Sequence, residues 1–553
     1  MTEQKKVQKR KMGSRRQEGQ QKGKCYFFKE ENRLMRKIKK LAAVGVAAAM
    51  TAVTISGCGG GADASSDNKG EKAEASADGE IKKPEKITIM VDGTVTTKIN
   101  NRDAFEKKWE ELTGIELEII QPDHDAYYDV LGQTFASGPE NWPDAIILSS
   151  SYYSGYAEEG ALWDMTEAWE NSELKASGRV TGEDVIENMK IGGKLYGFPV
   201  TRGNGAITYV KKAWLDSCGL EAPTTYDEYM NMLKAFTEGD PDGNGVNGDT
   251  YGVSAPGIIA PEAPYINYLP EFYQDAYPSF VKGEDGVWYD GFTQDNFKDA
   301  LGRLRDAYSK GYIDKESLTN GTNDCRNKFY EDKFGVFTYW AGTWNSNLKN
   351  NLEANGLSGE LVPLKPIKEV GTYLERVAPV WAITEACENP EGVYKYLIES
   401  MLDGGEMQKL WSYGVEDVHW STKAETVCGN EYQDGQFHLA ESLEKPGTQY
   451  TKQHLDPMLS IAQWPDDPGK EAVAPEAKNS QEIFNANCRQ AQLVPSTEEM
   501  AQYNGDLTTL KNSIVADVVV QGISIDEAYA RFEKDGGAEW SKTIVDSLNA
   551  LNQ

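Results

Sequence analysis

Two periods of apolar residues follow one another along the chain from residue 87 onward. Residues 87–91 form a nearly continuous apolar run, as in a buried strand, and residues 105–112 then carry apolar side chains at helical spacing. Residues 115–119 alternate as a strand does, residues 127–135 return to helical spacing, and residues 145–148 form another apolar run. Strand, helix, strand, helix and strand in this order predict a parallel α/β sheet.

The same alternation resumes after residue 200. Residues 206–210, 335–339 and 377–384 have strand-like patterns, and Thr225 with Glu228 forms a capping box before a helical pattern. About 470 residues follow residue 84, and a single hydrophobic core rarely serves so long a chain. We therefore expect two lobes of α/β type.

Residues 35–58 have the layout of a secretory signal peptide. Lys and Arg are concentrated at positions 36–40, and an uncharged run of 15 residues follows at 41–55. This run is shorter than the roughly 20 residues that a membrane-spanning helix needs, so a cleaved signal is favoured over a transmembrane anchor. A signal that starts at Met35 would be complete, and we expect translation to start there.

Removing residues 1–57 changes the charge of the protein. They hold 15 of the 57 Lys and Arg residues but only 4 of the 87 Asp and Glu residues, which leaves 42 basic and 83 acidic side chains, a net charge of −41. So acidic a surface repels phosphate backbones, and no nucleic-acid partner is expected. Five scattered cysteines follow Cys58 without a Cys-x-x-Cys pair, so neither a complete disulfide framework nor a structural zinc site is predicted.

The stretch DPDGNGVNGD, residues 240–249, has oxygen-bearing side chains at the spacing of a calcium-binding EF-hand loop. The match is partial, because Tyr251 stands where such a loop has a bidentate Glu. A turn rich in Gly and Asp without metal is the alternative. If calcium binds, its expected role is to neutralise clustered carboxylates and stiffen the loop. The candidate ligands are Asp240, Asp242, Asn244, the Val246 carbonyl and Asp249.

Several longer segments resemble bacterial extracellular solute-binding proteins of the sugar-binding type. They include WPDAIILSSSYYSGYAEEGALWDM at 142–165 and GKLYGFPV within the block 193–229. FGVFTYWAGTW at 334–344 and the block 377–401 match two further family segments, and SYGVEDVHW at 412–420 is similar to the lipoprotein solute receptors of Gram-positive bacteria. No one motif is highly specific, but their order and spacing together are.

This resemblance implies an α/β, two-lobed periplasmic-binding-protein-like fold of type II, with a ligand cleft between the lobes. The implied crossings between lobes lie near residues 199–202, 361–366 and 401–404. Ligands of open parallel sheets bind beyond the carboxyl ends of the strands, which agrees with such a cleft. The implied division is an N-terminal extension and signal peptide at 1–57, a lipidated tether at 58–84, a first lobe at 85–200 plus 366–402, and a second lobe at 203–365 plus 403–553.

The stretch ISGC, residues 55–58, resembles the lipobox of bacterial lipoproteins. This implies that the Cys58 thiol receives a diacylglycerol and that Cys58 becomes the new N-terminus. An ordinary cleavage site beside an incidental cysteine is the alternative. Residues 59–84 contain almost nothing apolar and read as a flexible tether. We therefore expect the protein at the extracellular face of the cell membrane, held by a lipid anchor.

Polar and aromatic residues at predicted strand ends and crossings are the candidate ligand contacts. Carboxylates, amides and Arg suit the hydroxyl edges of a sugar, and flat aromatic rings suit its faces. Each candidate has a plain alternative as a core or surface residue, and Arg202 has a further one as the partner of an acid. The candidates are Asp92, Ser150, Tyr152, Arg202, Asn204, Trp340, Trp344, Trp381, His419 and Trp420.

The resemblance implies a receptor that captures a carbohydrate or oligosaccharide by lobe closure and delivers it to the permease of an ABC transporter. A surface carbohydrate-active enzyme is the alternative from another class, yet the chain lacks His-Glu-x-x-His and Gly-x-Ser-x-Gly motifs, so no enzyme is predicted. A receptor that presents ligand to a sensor kinase, or one for a peptide or another solute, remains open. We expect a monomer.

Overall fold

The computed structural model describes residues 81–92, 100–123, 126–258, 268–440 and 455–551. The predicted signal peptide, the lipobox cysteine Cys58 and most of the tether lie outside these residues. All described residues belong to one compact unit, residues 73–553. Within them, no helix combines the length and the apolar character that crossing a membrane requires.

The described part of the chain alternates between short strands and helices. Its strands are β1 (Lys86–Met90), β2 (Glu116–Ile120), β3 (Ala145–Leu148), β4 (Ala206–Lys211), β5 (Tyr251–Val253), β6 (Phe280–Lys282), β7 (Trp288–Asp290), β8 (Phe334–Trp340), β9 (Leu361–Pro363), β10 (Tyr373–Glu375), β11 (Val380–Ile383), β12 (Trp420–Ser421), β13 (Glu425–Val427), β14 (Asn430–Tyr432), β15 (His438–Leu439) and β16 (Cys488–Gln490). Its α-helices are α1 (Arg102–Thr113), α2 (Tyr127–Ala136), α3 (Ser150–Glu158), α4 (Thr166–Glu170), α5 (Glu173–Ala176), α6 (Glu183–Asn188), α7 (Lys212–Cys218), α8 (Tyr226–Glu238), α9 (Pro270–Tyr273), α10 (Asp295–Ser309), α11 (Thr322–Tyr330), α12 (Thr343–Ala354), α13 (Pro390–Val393), α14 (Glu406–Tyr413), α15 (Pro475–Ala486), α16 (Glu498–Val519), α17 (Ile525–Lys534) and α18 (Gly537–Ala550).

The first sheet has the strand order β11-β3-β1-β2. Strand β1 runs parallel to β2, with Ile87 opposite Leu117, and parallel to β3. Strand β11 joins the edge in the antiparallel direction. The predicted strands and helices between residues 87 and 148 are therefore present, and the predicted parallel pairing holds for β1, β2 and β3.

The second sheet has the order β5-β8-β4-β9. Strand β4 is antiparallel to both β8 and β9, while β5 is parallel to β8. All six residues of β4 are buried, because helices and loops cover both faces. The N-cap half of the predicted capping box before α8 is present: the Thr225 hydroxyl accepts a hydrogen bond from the Glu228 amide at 3.3 Å. The Glu228 carboxylate accepts one at 2.8 Å from the Thr224 amide, one residue before the N-cap.

Each sheet has its own hydrophobic core, and these cores define two lobes. The first core gathers β1–β3 and β11 with side chains such as Trp109, Phe198 and Trp411. Two further clusters surround the second sheet, one with Trp214 and Phe297 and the C-terminal helices, the other on the opposite face. Two separate cores permit the lobes to move as bodies about the segments that connect them.

Two of the three crossings between lobes lie at other places than the resemblance implies. Strand β9 pairs with β4, so residues 361–363 stay in the second lobe. Tyr373 still packs in a second-lobe cluster, whereas Val377 packs in the first core, which moves the return crossing to about β10. The prediction near 361–366 fails because β9 completes the second sheet before the chain leaves it.

The predicted crossing near residues 401–404 is also displaced. Met407, Leu410 and Trp411 pack in the first core although residues 403–553 were assigned to the second lobe. The reason is the apolar face of α14, where Trp411 makes edge-on contacts with Trp109 at 5.7 Å. Leu455 also belongs to the first core, so residues well beyond 403 still pack on the first lobe.

Residues 455–464 run beside the first crossing and return the chain toward the second lobe. The Arg202 amide donates to the Leu459 carbonyl at 2.7 Å, and the Ile461 amide donates to the Val200 carbonyl at 3.3 Å. Farther on, β16 pairs in parallel with β10. Three stretches of chain therefore lie side by side where the lobes meet.

Candidate functional site

The first lobe presents a pair of tyrosines where β1 and β3 end. The rings of Tyr128 and Tyr152 stack at 3.7 Å with an interplanar angle of 4°, and Tyr152 remains 42% exposed. The Tyr128 hydroxyl accepts a hydrogen bond from the Ser149 amide at 2.9 Å, which fixes the pair to the end of β3. The result is a flat, partly exposed aromatic surface at this edge.

A carboxylate lies beside the tyrosine pair. Burial raises the pKa of Tyr128, and the negative charge of Asp92 contributes to the same shift. Asp92 and Tyr152, both predicted as ligand contacts, thus lie near the same ring. Ser150 opens α3 at this edge, but its side chain is not among those described. Tyr128 was missed from the sequence, where only its neighbour Tyr127 fitted the apolar helical spacing.

The second lobe presents Trp340 at the end of β8. Trp340 pairs with Ala206 at the start of β4, next to the first crossing. The Arg376 guanidinium lies 4.9 Å above the Trp340 ring and its Nε donates to the Gly203 carbonyl at 2.7 Å. The Asn204 amide nitrogen donates to the Ala341 carbonyl at 3.3 Å. Trp340 and Asn204, two predicted contacts, are therefore brought to one edge.

Trp344 lies four residues after Trp340, in the first turn of α12. It is half-buried, its ring meets Tyr339 edge-on at 4.9 Å, and the Arg326 guanidinium lies 5.1 Å from its centre. Trp344 thus packs on the second lobe and keeps part of its surface accessible, which is compatible with the predicted ligand contact.

Arg202 is engaged in ion pairs at the first crossing. Its guanidinium binds the Glu375 carboxylate in two places, each at 3.1 Å, and the Asp184 carboxylate at 3.1 Å. The Glu375 side chain is only 3% exposed. Arg202 therefore links α6 of the first lobe to β10, and the alternative of pairing with acids describes it better than ligand contact. A cavity of about 570 Å³ lies beside this network, lined also by Asn188 and Arg489.

Three predicted contacts are buried side chains. Trp381 is 2% exposed and meets Trp411 edge-on at 5.8 Å in the first core. Trp420 is 4% exposed, and its indole nitrogen donates to the Gly414 carbonyl at 3.1 Å. These predictions are corrected for a common reason: an aromatic residue at a strand end packs inward or outward according to tertiary contacts that a single sequence does not reveal.

His419 is the third of these buried side chains. Its Nδ1 accepts a hydrogen bond from the Val415 amide at 2.8 Å, so Nε2 carries the proton and donates to the Asn100 carbonyl at 2.6 Å. Burial lowers the pKa of His419, which favours the same neutral ring. His419 therefore ties its loop to the start of α1 and has no nitrogen left for a ligand.

The loop at residues 240–249 gathers the predicted oxygen donors. The Asn244 amide nitrogen donates to Asp242 at 2.8 Å and to Asp249 at 2.9 Å, and the Gly245 amide donates to one Asp240 oxygen at 2.9 Å. The other Asp240 oxygen is buried without a hydrogen-bond partner. Burial raises the pKa of Asp242, as do the nearby Asp240 and Asp249.

Such a set fits a hard cation, because carboxylate and amide oxygens are the ligands that Ca²⁺ prefers and one buried oxygen lacks a partner. Val246 directs its amide to the Asn244 side-chain oxygen at 2.7 Å, so the turn that would present its carbonyl is formed. Within the described residues, however, no three His, Cys, Asp or Glu side chains converge as a ready set of metal ligands.

Curated relatives share part of the chain. Lipoprotein LipO of Bacillus subtilis is 28% identical over 235 residues, which is 42% of this chain and 45% of the relative. Polygalacturonan/rhamnogalacturonan-binding protein YtcQ of the same species is 25% identical over 273 residues, 48% and 52% of the two chains. The fructooligosaccharide ABC transporter substrate-binding protein FusA of Streptococcus pneumoniae is 30% identical over 182 residues, 31% and 32%. The chain therefore spans about half or less of these relatives.

Solved structures match over a greater length. The alginate-binding protein AlgQ2, in a structure without calcium ion, superposes with a TM-score of 0.58 at 18% identity, covering 85% of this chain and 98% of that one. The N-glycan transport solute-binding protein NgtS of Streptococcus pneumoniae gives 0.59 at 17%, covering 85% and 98%. These likenesses confirm the predicted α/β, two-lobed fold of type II.

A family model gives the identity of the chain as a whole. Residues 98–398, more than half of the chain, match the model described as bacterial extracellular solute-binding protein. The match includes the second sheet, the strands β2, β3 and β11 of the first sheet, the first crossing and the return through β10. It confirms the expectation that the protein binds a solute and is not an enzyme. The chain belongs to the bacterial extracellular solute-binding proteins.

Proposed function

We propose that this protein captures a carbohydrate, most fittingly an oligosaccharide, between its two lobes and delivers it to the permease of an ABC transporter. The observation that carries the proposal is the stacked Tyr128–Tyr152 pair beside Asp92 at the strand ends of the first lobe. Flat rings match the C–H faces of sugar rings, and a neighbouring carboxylate accepts hydrogen bonds from their hydroxyls.

The second lobe supplies a complementary surface. Trp340 offers a half-buried ring under the Arg376 guanidinium, and Asn204 adds an amide at the same edge. Asn204 has φ 57°, a left-handed conformation that an Asn tolerates better than most residues. A ligand that touches both edges would hold the lobes together, as in the closure of other two-lobed receptors. YtcQ and FusA, whose names specify polysaccharide and oligosaccharide binding, support a glycan ligand.

Closure would bend the segments that lie side by side between the lobes. These are the first crossing near residues 200–206, the return through β10, and residues 455–464. Ligand then acts by favouring the closed form, because only that form offers contacts from both lobes at once. The closed form is the one we expect the permease to recognise.

The place of action we propose is the outer face of the cell membrane. Cys58 would carry the lipid, and residues 59–84 would tether the lobes to it. The similarity to LipO, which is named as a lipoprotein, supports this anchor. We expect the protein to act as a monomer, with membrane contact through the anchor alone.

We also propose that the loop at residues 240–249 binds one structural Ca²⁺. The residues that would hold it are Asp240, Asp242, Asn244, Asp249 and the Val246 carbonyl. The ion would neutralise carboxylates that otherwise repel one another and would give the unpaired Asp240 oxygen a partner. A structure of FusA described as an EF-hand mutant has the same overall fold, with a TM-score of 0.55 and 19% identity, which supports looking for the ion here.

A thermal-shift screen tests the receptor function. The purified protein, with calcium present, is heated with monosaccharides, oligosaccharides, short peptides and polyamines. We expect one glycan class to raise the Tm and the glycan to be recovered intact, because binding to the native state alone stabilises it. A glycan recovered in cleaved form would contradict the receptor proposal. A shift with a peptide or amine alone would replace the carbohydrate as ligand.

A further inference from the structure

One buried carboxyl group of the second lobe differs from the others in its partners. In the described part of the chain, five acidic side chains are buried, and four of them form ion pairs: Asp290 with Lys511, Asp314 with Lys328, Glu375 with Arg202, and Asp517 with Arg531. The fifth is Glu271 of α9, which is 2% exposed and forms no ion pair with a described residue. A buried charge without a partner is costly, so a charged Glu271 would destabilise the fold.

Hydroxyl groups surround the Glu271 carboxyl group. Its Oε1 accepts a hydrogen bond from the Thr208 hydroxyl on β4 at 2.7 Å, and the Thr208 hydroxyl lies 2.9 Å from that of Thr338 on β8. The Tyr373 hydroxyl on β10 accepts a hydrogen bond from the Thr208 amide at 3.5 Å and donates to the Leu364 carbonyl at 3.0 Å. These neighbours are neutral, and hydroxyl groups pair with a carboxylic acid as well as with a carboxylate.

The second oxygen of this carboxyl group is unsatisfied, and so is a tyrosine hydroxyl near it. Within the described residues, Oε2 of Glu271 and the hydroxyl of Tyr229 on α8 are buried without a hydrogen-bond partner. The Tyr229 ring meets Phe272, the residue after Glu271, edge-on at 5.8 Å. Burial raises the pKa of Tyr229 well above its usual value, and the charge of Glu271 adds to the rise, so this tyrosine keeps its proton. A proton on Oε2 would make Oε2 a donor, and the Tyr229 oxygen is an acceptor on the neighbouring helix.

The guanidinium that the neighbouring helix α10 directs to α9 binds backbone carbonyls. Arg303 donates through Nε to the Phe272 carbonyl at 2.6 Å and through Nη2 to the Tyr273 carbonyl at 3.3 Å. It also faces Tyr226 of α8, whose pKa burial raises to about 12 and Arg303 lowers in part. For Glu271, burial raises the pKa to about 7, hydrogen bonds lower it in part, and no cation of the described residues offsets the rise.

We propose that Glu271 holds a proton in the folded protein up to neutral pH and that losing this proton at higher pH destabilises the second lobe. The carboxylate form places a charge among neutral hydroxyls and leaves Oε2 without a donor. The acid form is neutral: Oε1 still accepts from Thr208, and Oε2 carries the proton. Glu271 is therefore a pH-sensitive element of the fold, and this role does not depend on the identity of the ligand.

The cluster around Glu271 joins strands that position the second lobe. Thr338 lies on β8, two residues before Trp340, and Thr208 lies on β4, which follows the first crossing. Tyr373 lies on β10, the return crossing. A charge at Glu271 therefore acts on the strand that ends at a proposed ligand contact and on the strands next to two of the crossings.

The direction of the pH dependence follows from the difference between the folded and the unfolded chain. A Glu in the unfolded chain has a pKa of about 4.3, whereas burial raises the pKa of Glu271 in the folded protein to about 7. The proton therefore contributes stability that is full below about pH 4 and is lost as the pH rises through about 7.

Urea unfolding of the parent protein and of Glu271→Gln between about pH 5 and pH 8 tests the proposal. The variant keeps the shape of the side chain and cannot ionise. Relative to the variant, the parent's unfolding equilibrium constant should increase by at least about tenfold across this range. Glu284→Gln, in the exposed turn between β6 and β7, is the matched control and should follow the parent at every pH. The same pH dependence in the parent and in Glu271→Gln would overturn the proposal.

A second variant tests the proposal even if Glu271→Gln does not fold. Thr208→Val removes the hydroxyl that donates to Oε1 and that stabilises the carboxylate form, so the proton should be released at a higher pH. Infrared spectroscopy of the folded protein follows the band of a protonated carboxyl group as the pH is raised. We expect this band in the parent at about pH 6 and its loss by about pH 9, with a loss at higher pH in Thr208→Val. Thr508→Val, at an exposed position on α16, should match the parent. A parent without the band at about pH 6, or a loss at the same pH in Thr208→Val, would overturn the proposal.

Discussion

Aromatic residues near the strand ends of this protein divide into two groups that a sequence presents in the same way. Trp381 and Trp420 are almost fully buried, whereas Tyr152 is 42% exposed and Trp340 is half-buried. The buried group packs against other rings within one lobe, and the accessible group lies near the ends of β3 and β8. The difference teaches that the same residue type packs in a core or stays accessible according to its place in the fold, and only an accessible ring can contact a ligand.

Replacing a buried member should affect stability most. Trp381→Ala removes a large side chain from the first core and leaves a cavity, so we expect a loss of about 3–5 kcal/mol in the free energy of unfolding. Urea unfolding followed by near-ultraviolet circular dichroism measures it. If Trp381→Ala kept its stability but lost ligand binding, Trp381 would be a ligand contact and not a core residue.

The loop at residues 240–249 is an exposed region for which we expect a role in stability and none in ligand contact. Removing Ca²⁺ with a chelator should lower the stability by about 2–3 kcal/mol if the ion is normally present at about 100 times its Kd. Differential scanning calorimetry with and without chelator measures the change in Tm. Asp240→Asn should abolish the response, and Asp434→Asn, in an exposed turn, should retain it. An identical melting curve with excess chelator would exclude a bound ion.

Replacing an accessible member should affect binding more than folding. Tyr152→Ala, Trp340→Ala and Trp344→Ala should each weaken binding of the glycan found in the screen by about 1–3 kcal/mol through lost ring stacking and burial. Titration calorimetry measures the affinity, and a thermal melt checks that the variant is folded. Tyr289→Ala, 37% exposed on β7 of the second lobe, is the control. Normal affinity in one of the three variants would remove that residue from the site.

The smallest effect on stability is expected from replacing His419, a side chain that belongs with the buried group. Its pKa is lowered in the folded protein by burial, so its neutral form contributes stability that is full above the unfolded pKa of about 6.5 and is lost as the pH falls through the lower folded value. Protonation of Nδ1 would break the bond from the Val415 amide. His419→Gln should therefore reduce the acid sensitivity of the Tm by a few degrees at most. Equal acid sensitivity in the variant and the parent would contradict this role.

In the first lobe, the periodicity of apolar residues predicted the positions of the strands. The apolar runs at 87–91 and 145–148 and the alternation at 115–119 became β1, β3 and β2 with little displacement. The interior strands β1 and β3 are mostly buried and therefore apolar, whereas the edge strand β2 exposes Glu116 and Glu118 and therefore alternates. The direction of β11 did not follow from its pattern. A buried strand has the same composition in a parallel and an antiparallel pair.

The lobe to which the residues after 403 belong could not be predicted from the sequence. The helix α14 and residues 455–462 pack on the first lobe through long-range contacts such as Trp411 with Trp109. Tyr128 was missed for a related reason: its partner Tyr152 lies on another helix. Arg202 was recognised as a possible partner of acids, yet only the structure identifies Glu375 and Asp184.

Lobe closure around an oligosaccharide is the central claim, and small-angle X-ray scattering of the protein with and without the glycan found in the screen tests it most directly. We expect saturating glycan to reduce the radius of gyration, because a ligand that bridges the proposed contacts Tyr152 and Trp340 would draw the lobes together. The reduction should be absent in Tyr152→Ala at a glycan concentration that saturates the parent protein only. A saturated complex with the same radius of gyration as the free protein would contradict capture by closure.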